Sequence, residues 1–163
     1  MPPDVSRIRR ARPADLEALV TTRVALFREL GHGPSDATLL AFQTACRPPM
    51  VEVLRDGRGA AWLATGDDGA VRDGAVRGAA ILLDYLRLPS PANLATREGY
   101  LLNVWVAPEW RRQGVASALV EAAIEESRLR RLARIRLHAT VDGRSVYARL
   151  GFSGREDEME LVL

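Results

Sequence analysis

The chain has 163 residues, a formal charge of +2, 47% apolar and 27% charged residues, a balance that predicts one water-facing domain, residues 1–163, with a sizeable core. No apolar run approaches the roughly 20 residues of a membrane span, and MPPDVSRIRR lacks the apolar segment of a secretory leader; the default expectation is a cytoplasmic protein with no membrane contact. Cys46 is the only cysteine and His32 and His138 the only histidines, while all 23 basic residues are arginine, which excludes an internal disulfide, a thiolate cluster and a lysine nucleophile and leaves metal: none as the expectation.

SRIRRA (6–11) alternates and predicts a first strand. Pro13 then opens a helix through ADLEALVTTRVALFREL, with Leu16, Leu19, Val20, Val24 and Phe27 near helical spacing, until GHGPS (31–35) stops it. DATLLAFQTAC predicts a second helix, ended by Pro48 and Pro49. GAAWLAT (59–65) and VRGAAILLDYL (76–86) read as strands joined by GDDGAVRDG, whose Gly and Asp content suits a hairpin turn. RLPSPANLATREG (87–99) has two prolines and no period, and predicts a loop. YLLNVWV (100–106) is apolar on both faces, as a buried central strand should be.

Pro108 removes a ladder donor and helps to end that strand. From Val115 an amphipathic helix follows, with apolar stripes 115/119/122 and 116/120/123 opposite Ser117, Glu121, Glu125 and Arg128. ARIRLHA (133–139) alternates as a strand, with His138 on the same polar side as Arg134 and Arg136 and read as surface. GRSVYARL is a short helix stopped by Gly151, and EMELVL a last strand. The order β-α-α-β-β-β-α-β-α-β predicts a mixed sheet with helices on both faces, an α/β domain in the broad (α+β) sense.

The strand-to-helix junction is chemically pointed. A helix opening near Arg112 leaves its first N–H groups without partners, at the positive end of the dipole. Gly114 and Ala116 let an anion approach those amides, and Arg111 and Arg112 offer cationic forks. Physically, this is either a phosphate cradle or a helix start with surface arginines and a packing glycine. The Walker loop is excluded by the missing lysine, and the dinucleotide fingerprint by the missing glycines.

Arg111-Arg112-Gln113-Gly114-Val115-Ala116 does match R/Q-x-x-G-x-G/A. It follows YLLNVWVAP, opens a helix, and precedes VYARLGF (146–152), similar to a Tyr-x-x-x-Gly-Phe segment. On these residues the chain resembles the GNAT (Gcn5-related N-acetyltransferase) superfamily. The resemblance implies a GNAT fold, with a mixed central sheet of about six to seven strands flanked by about four helices. It implies acetyl-CoA as acyl donor, with backbone groups of Val104, Trp105 and Val106 pairing with the pantetheine arm. The loop Arg111, Arg112, Gln113, Gly114, Val115, Ala116 and Ser117 would hold the pyrophosphate, and Tyr147 would be the general acid. Thr140 stands where many members carry an Asn that helps to hold the cofactor.

Acetyl transfer to an amine must first free the amine of its proton: at a pKa of about 10.4, roughly one molecule in 2,500 is neutral at pH 7. Glu98 could act as base through a water, and Asn103 could orient water or substrate. The expected function is direct transfer of acetyl to a primary amine of a small molecule or peptide, with the acceptor unread and a homodimer left open. A non-catalytic acyl-CoA-binding module is the alternative. The arginine run Arg128, Arg130, Arg131, Arg134 and Arg136 raises a nucleic-acid reading, but a solvated helix end complementing the helix dipole explains it better.

Overall fold

The computed structural model describes residues 7–33, 35–55, 57–66, 71, 76–154 and 159–163. Strand β1 (Arg7–Arg10) leads through a 3₁₀ turn at Pro13–Asp15 into α1 (Leu16–Glu29), and α2 (Asp36–Arg55) follows. Then come β2 (Gly59–Thr65), β3 (Gly78–Leu86), β4 (Arg97–Val106), a 3₁₀ turn at Pro108–Trp110, α3 (Val115–Leu129), β5 (Ile135–Arg136) and α4 (Arg144–Arg149). Five strands form one sheet in chain order; β1 to β4 are antiparallel neighbours, and β5 joins β4 in parallel after the α3 crossover. This is a mixed α/β arrangement of the kind the resemblance implies, with five strands among the described residues where six to seven were expected.

The continuous apolar strands are explained by burial on both faces. In β2 and β3, Ala61, Leu63, Ala79 and Ile81 join Leu19, Val20, Cys46 and Met50 under α1 and α2. Their neighbours Trp62, Ala64, Ala80 and Leu82 turn the other way and pack with Leu101, Val115, Leu119, Val120 and Ala123 beneath α3. Of the stripes expected on α3, Val115, Leu119, Val120 and Ala123 are buried and Ala116 and Ala122 half-buried, and Cys46 is a packing residue.

Four boundaries differ from the sequence expectation. Helix α2 continues through Pro48 and Pro49. Each proline forfeits a bond to the carbonyl four residues earlier, but those carbonyls belong to Thr44 and Ala45, which are exposed, as are the prolines. Beyond them Met50 is buried and Val53 and Leu54 pack on the core, which outweighs the lost bonds. Second, β4 begins at Arg97, so Glu98 lies inside the strand: Arg97 pairs with Leu86 and Glu98 with Tyr85. The side chains reinforce this, because Arg97 Nε donates to Asp84 at 2.5 Å and Tyr85 Oη to Glu98 at 2.5 Å.

Third, the expected strand 133–139 shrinks to two paired residues, Gly99 facing Ile135 and Tyr100 facing Arg136. Beyond them the chain leaves β4, and the sheet opens as a wedge. Fourth, residues 159–163 form no strand, and Met159, Leu161, Val162 and Leu163 are exposed. Alternation alone cannot supply a partner, and no strand pairs with this segment among the described residues. Most of the expected 66–74 turn lies outside the described residues.

Candidate active site in the wedge beyond the fifth strand

Where β4 and the chain after β5 part, they leave a cleft of about 420 Å³, within the range of small-molecule sites. It brings together Asn103, Val104, Ala116, Thr140 and Tyr147 from the predicted set. It also contains residues that sequence reasoning missed: Arg23 and Phe27 of α1, Tyr100 of β4, and His138.

The floor is the free edge of β4. Ala107 N–H donates to the Arg77 carbonyl on the β3 side at 2.9 Å. Backbone groups alternate sides along a strand, so Trp105 faces β3 while Val104 and Val106 face the wedge. An extended amide chain could add to Val104 and to the Val106 N–H, the Val106 carbonyl already accepting from Arg111, whereas Trp105 lacks the backbone direction expected of it. Asn103 marks a break in this alternation. It has φ 55°, and the β3–β4 register shifts beside it.

At the far end lies the N-terminus of α3. Arg112 has φ 60° and Gly114, the N-cap, φ 83°. Such a turn aims successive N–H groups at one point. No side chain caps this helix and no acidic residue sits in its first turn, so Val115, Ala116 and Ser117 present bare amides. A Cβ built on Gly114 would meet nothing within 4 Å. The space above it is open, and only Gly holds the positive φ without strain. These features fit a pyrophosphate.

The two arginines differ in what they can add. Arg111 is already engaged: Nε donates to the Val106 carbonyl at 2.9 Å, and Nη2 meets Glu29 at 2.6 Å. Glu29 also accepts the Trp105 indole N–H at 3.0 Å, so Arg111 braces the loop against β4 and α1. Arg112 is exposed and carries the available fork. Gln113 Nε2 donates to the Glu109 carbonyl at 3.0 Å, which steadies the turn.

Tyr147 comes from α4, with its ring edge-on to Phe152 at 5.8 Å. Burial raises the Tyr147 pKa above its ordinary value, so the phenol holds its proton through neutral pH. Thr140 Oγ1 accepts the Gly143 N–H at 3.1 Å, and its carbonyl accepts from Arg144 at 3.0 Å. It shapes the turn into α4 while its hydroxyl hydrogen stays available. Opposite, the Tyr100 hydroxyl hydrogen-bonds His138 Nδ1. His138 is exposed, as its surface reading expected, and also lines the cleft, with the polar side of its segment pointing at β4.

Arg134 and Arg136, on that same side, reach Glu98 at 2.9 and 3.3 Å, with Arg87 at 3.6 Å. Glu98 is 5% exposed and lies outside the cleft lining. Burial raises its pKa, but the Tyr85 hydrogen bond and the three arginines outweigh that and hold it below the ordinary value. A carboxylate so held is a poor base. Arg130 is likewise occupied, contacting Glu126 at 2.7 Å, Asp84 at 3.2 Å and the Gly57 and Gly59 carbonyls at 2.6 and 2.9 Å. Three of the five arginines in the run thus tie β5 and the end of α3 to the sheet, which corrects the solvated reading for those three, while Arg128 and Arg131 are exposed as it expected.

Asn103 is 4% exposed. Its Nδ2 donates to Thr22 Oγ1 at 3.1 Å, and Thr22 donates onward to the Leu19 carbonyl at 2.8 Å. This chain fixes the amide orientation and leaves Oδ1 buried without a partner.

Comparison with known proteins follows the same line. No curated protein sequence matches the chain. A GCN5-related N-acetyltransferase structure from Ralstonia eutropha JMP134 is 31% identical, with 96% of this chain and 97% of that one covered and a TM-score of 0.79. A predicted acetyltransferase from Clostridium acetobutylicum, solved with acetyl-CoA, is 22% identical, with 96% and 95% covered and a TM-score of 0.80. The aminoglycoside N-acetyltransferase AAC(6')-Iy, solved with CoA, is 20% identical, with 96% and 93% covered and a TM-score of 0.68. The sequence also matches the Acetyltransferase (GNAT) family over residues 27–152. With that match spanning the wedge, the bare helix N-terminus and the Tyr147 segment alike, the chain belongs to the GNAT acetyltransferase family.

Proposed function

We propose that the protein, acting as one domain, is an N-acetyltransferase that moves acetyl from acetyl-CoA to a primary amine. The observation that carries this reading is the alignment, in one cleft, of the free β4 edge, the uncapped α3 N-terminus and the Tyr147 phenol. Val104 and Val106 would hold the pantetheine amides, and the Val115, Ala116 and Ser117 amides, with Arg112, would hold the pyrophosphate. Acetyl-CoA supplies the activated acyl group as a thioester.

The residues of the cleft then handle the protons. The amine nitrogen forms the new C–N bond as the C–S bond breaks; the nitrogen loses a proton, and the sulfur gains one from Tyr147. His138 replaces Glu98 as the proposed base. If Nδ1–H donates to the Tyr100 oxygen, Nε2 is left as the acceptor for the amine proton. Asn103 Oδ1 orients that amine by accepting one of its N–H bonds. The test is thiol release from acetyl-CoA across an amine library, with mass spectrometry of the products. Acetylated amine is expected; tight acetyl-CoA binding with no turnover on any amine would establish the binding-module alternative.

A further inference from the structure

Two features of the cleft are unused by the acetyl transfer itself. The first is Arg23 of α1, half-buried in the lining. Its guanidinium carbon lies 4.9 Å from the Phe27 ring centroid and 5.8 Å from that of Phe42. Those rings hold the cation in place, yet no carboxylate pairs with it among the described residues. Nearly every other half-buried arginine around the sheet has an acidic partner: Arg9 with Asp15, Arg87 with Glu98, Arg130 with Asp84 and Glu126. The second feature is the composition of the lining, which includes no aspartate or glutamate among the described residues. A polycationic acceptor would find no counter-charge there and would face Arg23.

We propose that the acceptor is a small amine carrying an acidic group, a carboxylate or its phosphonate equivalent, and that Arg23 receives the acid. This deepens the N-acetyltransferase reading and rests on it for the identity of the cleft. The two ends of such a zwitterion meet complementary groups. The acid meets a planar guanidinium, which binds carboxylate and phosphonate oxygens as a fork. The amine is directed to Asn103 Oδ1, which among the described residues is the one buried side-chain oxygen without a donor. The adjoining residue Thr22 connects the two, since it carries the Asn103 amide and precedes Arg23 on α1.

The experiment compares α-amino acids with the amines that lack their carboxyl group, adds aminoalkyl phosphonates, and uses diamines as cationic controls. Each is tested by thiol release and by calorimetric binding to the CoA-saturated protein, in wild type and Arg23→Met. Methionine keeps an unbranched stem over the rings and removes the charge. Wild type is expected to favour the acid-bearing members by roughly 10- to 100-fold in kcat/KM. Arg23→Met should erase that preference, leave the acid-free amines within about threefold, and leave the KM for acetyl-CoA unchanged. Equal use of acid-free amines or diamines by wild type overturns the proposal while the acetyltransferase reading stands. A raised KM for acetyl-CoA in Arg23→Met also overturns it, because the arginine would then serve the donor. Arg23-dependent binding of acid-bearing amines without turnover supports the proposal and defeats N-acetylation instead. Failure of every acid-bearing amine to bind overturns it.

Discussion

Replacing Gly114 by glutamate tests whether the α3 N-terminus is an anion site. A Cβ at this position meets no atom within 4 Å, so the folded cost comes from the backbone, held at φ 83°. An L-residue in that left-handed conformation costs about 1–2 kcal/mol, which a domain with typical stability survives. The effect on a ligand should be larger. A carboxylate about 5 Å from a bound pyrophosphate is repelled by roughly 1–3 kcal/mol in a half-screened site, or about 5- to 150-fold in Kd. Gly114→Gln has the same size and the same backbone strain without the charge. Gly114→Asn tolerates the positive φ and adds little bulk. Calorimetry of CoA binding at two salt concentrations separates the terms: Glu should be weakest, Gln intermediate, Asn nearest wild type. The gap between Glu and Gln should narrow at high salt. A folded Gly114→Glu protein that binds CoA as wild type does would refute the cradle. Equal losses in Glu and Gln, independent of salt, would reduce it to a matter of space.

Three further outcomes are expected. Tyr147→Phe keeps the ring contact with Phe152 and loses no hydrogen bond among the described residues, so thermal stability and acetyl-CoA affinity should hold while kcat falls roughly 10- to 10³-fold. The loss should shrink with a donor whose thiol is more acidic; an equal loss with two donors of different thiol pKa would rule out proton donation. Glu98, held below its ordinary value near 4.5, contributes stability that is present above that value and lost as pH falls through and below it. Glu98→Gln should therefore be destabilised by about 1.5–3 kcal/mol at pH 7, the gap to wild type closing in chemical melts toward pH 3; a gap that persists there would contradict the ion-pair account. Tyr85 is pushed up to about 12 by burial and by the Glu98 carboxylate, so alkaline absorbance titration should show a late tyrosine step that vanishes in Tyr85→Phe. Its folded pKa is raised, so its stabilisation is present below pH 10 and is lost as pH rises through about 12.

Most of the fold, and the residues that the sequence and the cleft have in common, were legible along the chain because the signals were local. The two-faced apolar runs of β2, β3 and β4, the stripes of α3, and a glycine beside bare helix amides each depend on residues within a turn or two. The same range of physics fails where a distant surface decides. Pro48 and Pro49 sit inside α2 because Met50 has a core to enter, and the last segment's alternation finds no described strand to pair with. Arginines read as solvated are spent on Glu98, Asp84 and Glu126, since a charge pattern in one dimension does not name its counter-ions.

The sequence by itself determined the element order from β1 through α4, the open glycine at the start of α3, the family, and the absence of lysine chemistry. Only the tertiary structure decided which polar groups face one another. Tyr100 and His138 lie 38 residues apart, Asn103 and Thr22 81, and Arg111 and Glu29 82. Those pairings depend on where β4 parts from the chain after β5 and on how α1 crosses the sheet. Such distances are set by the packing of whole elements, and no periodicity in the chain encodes them.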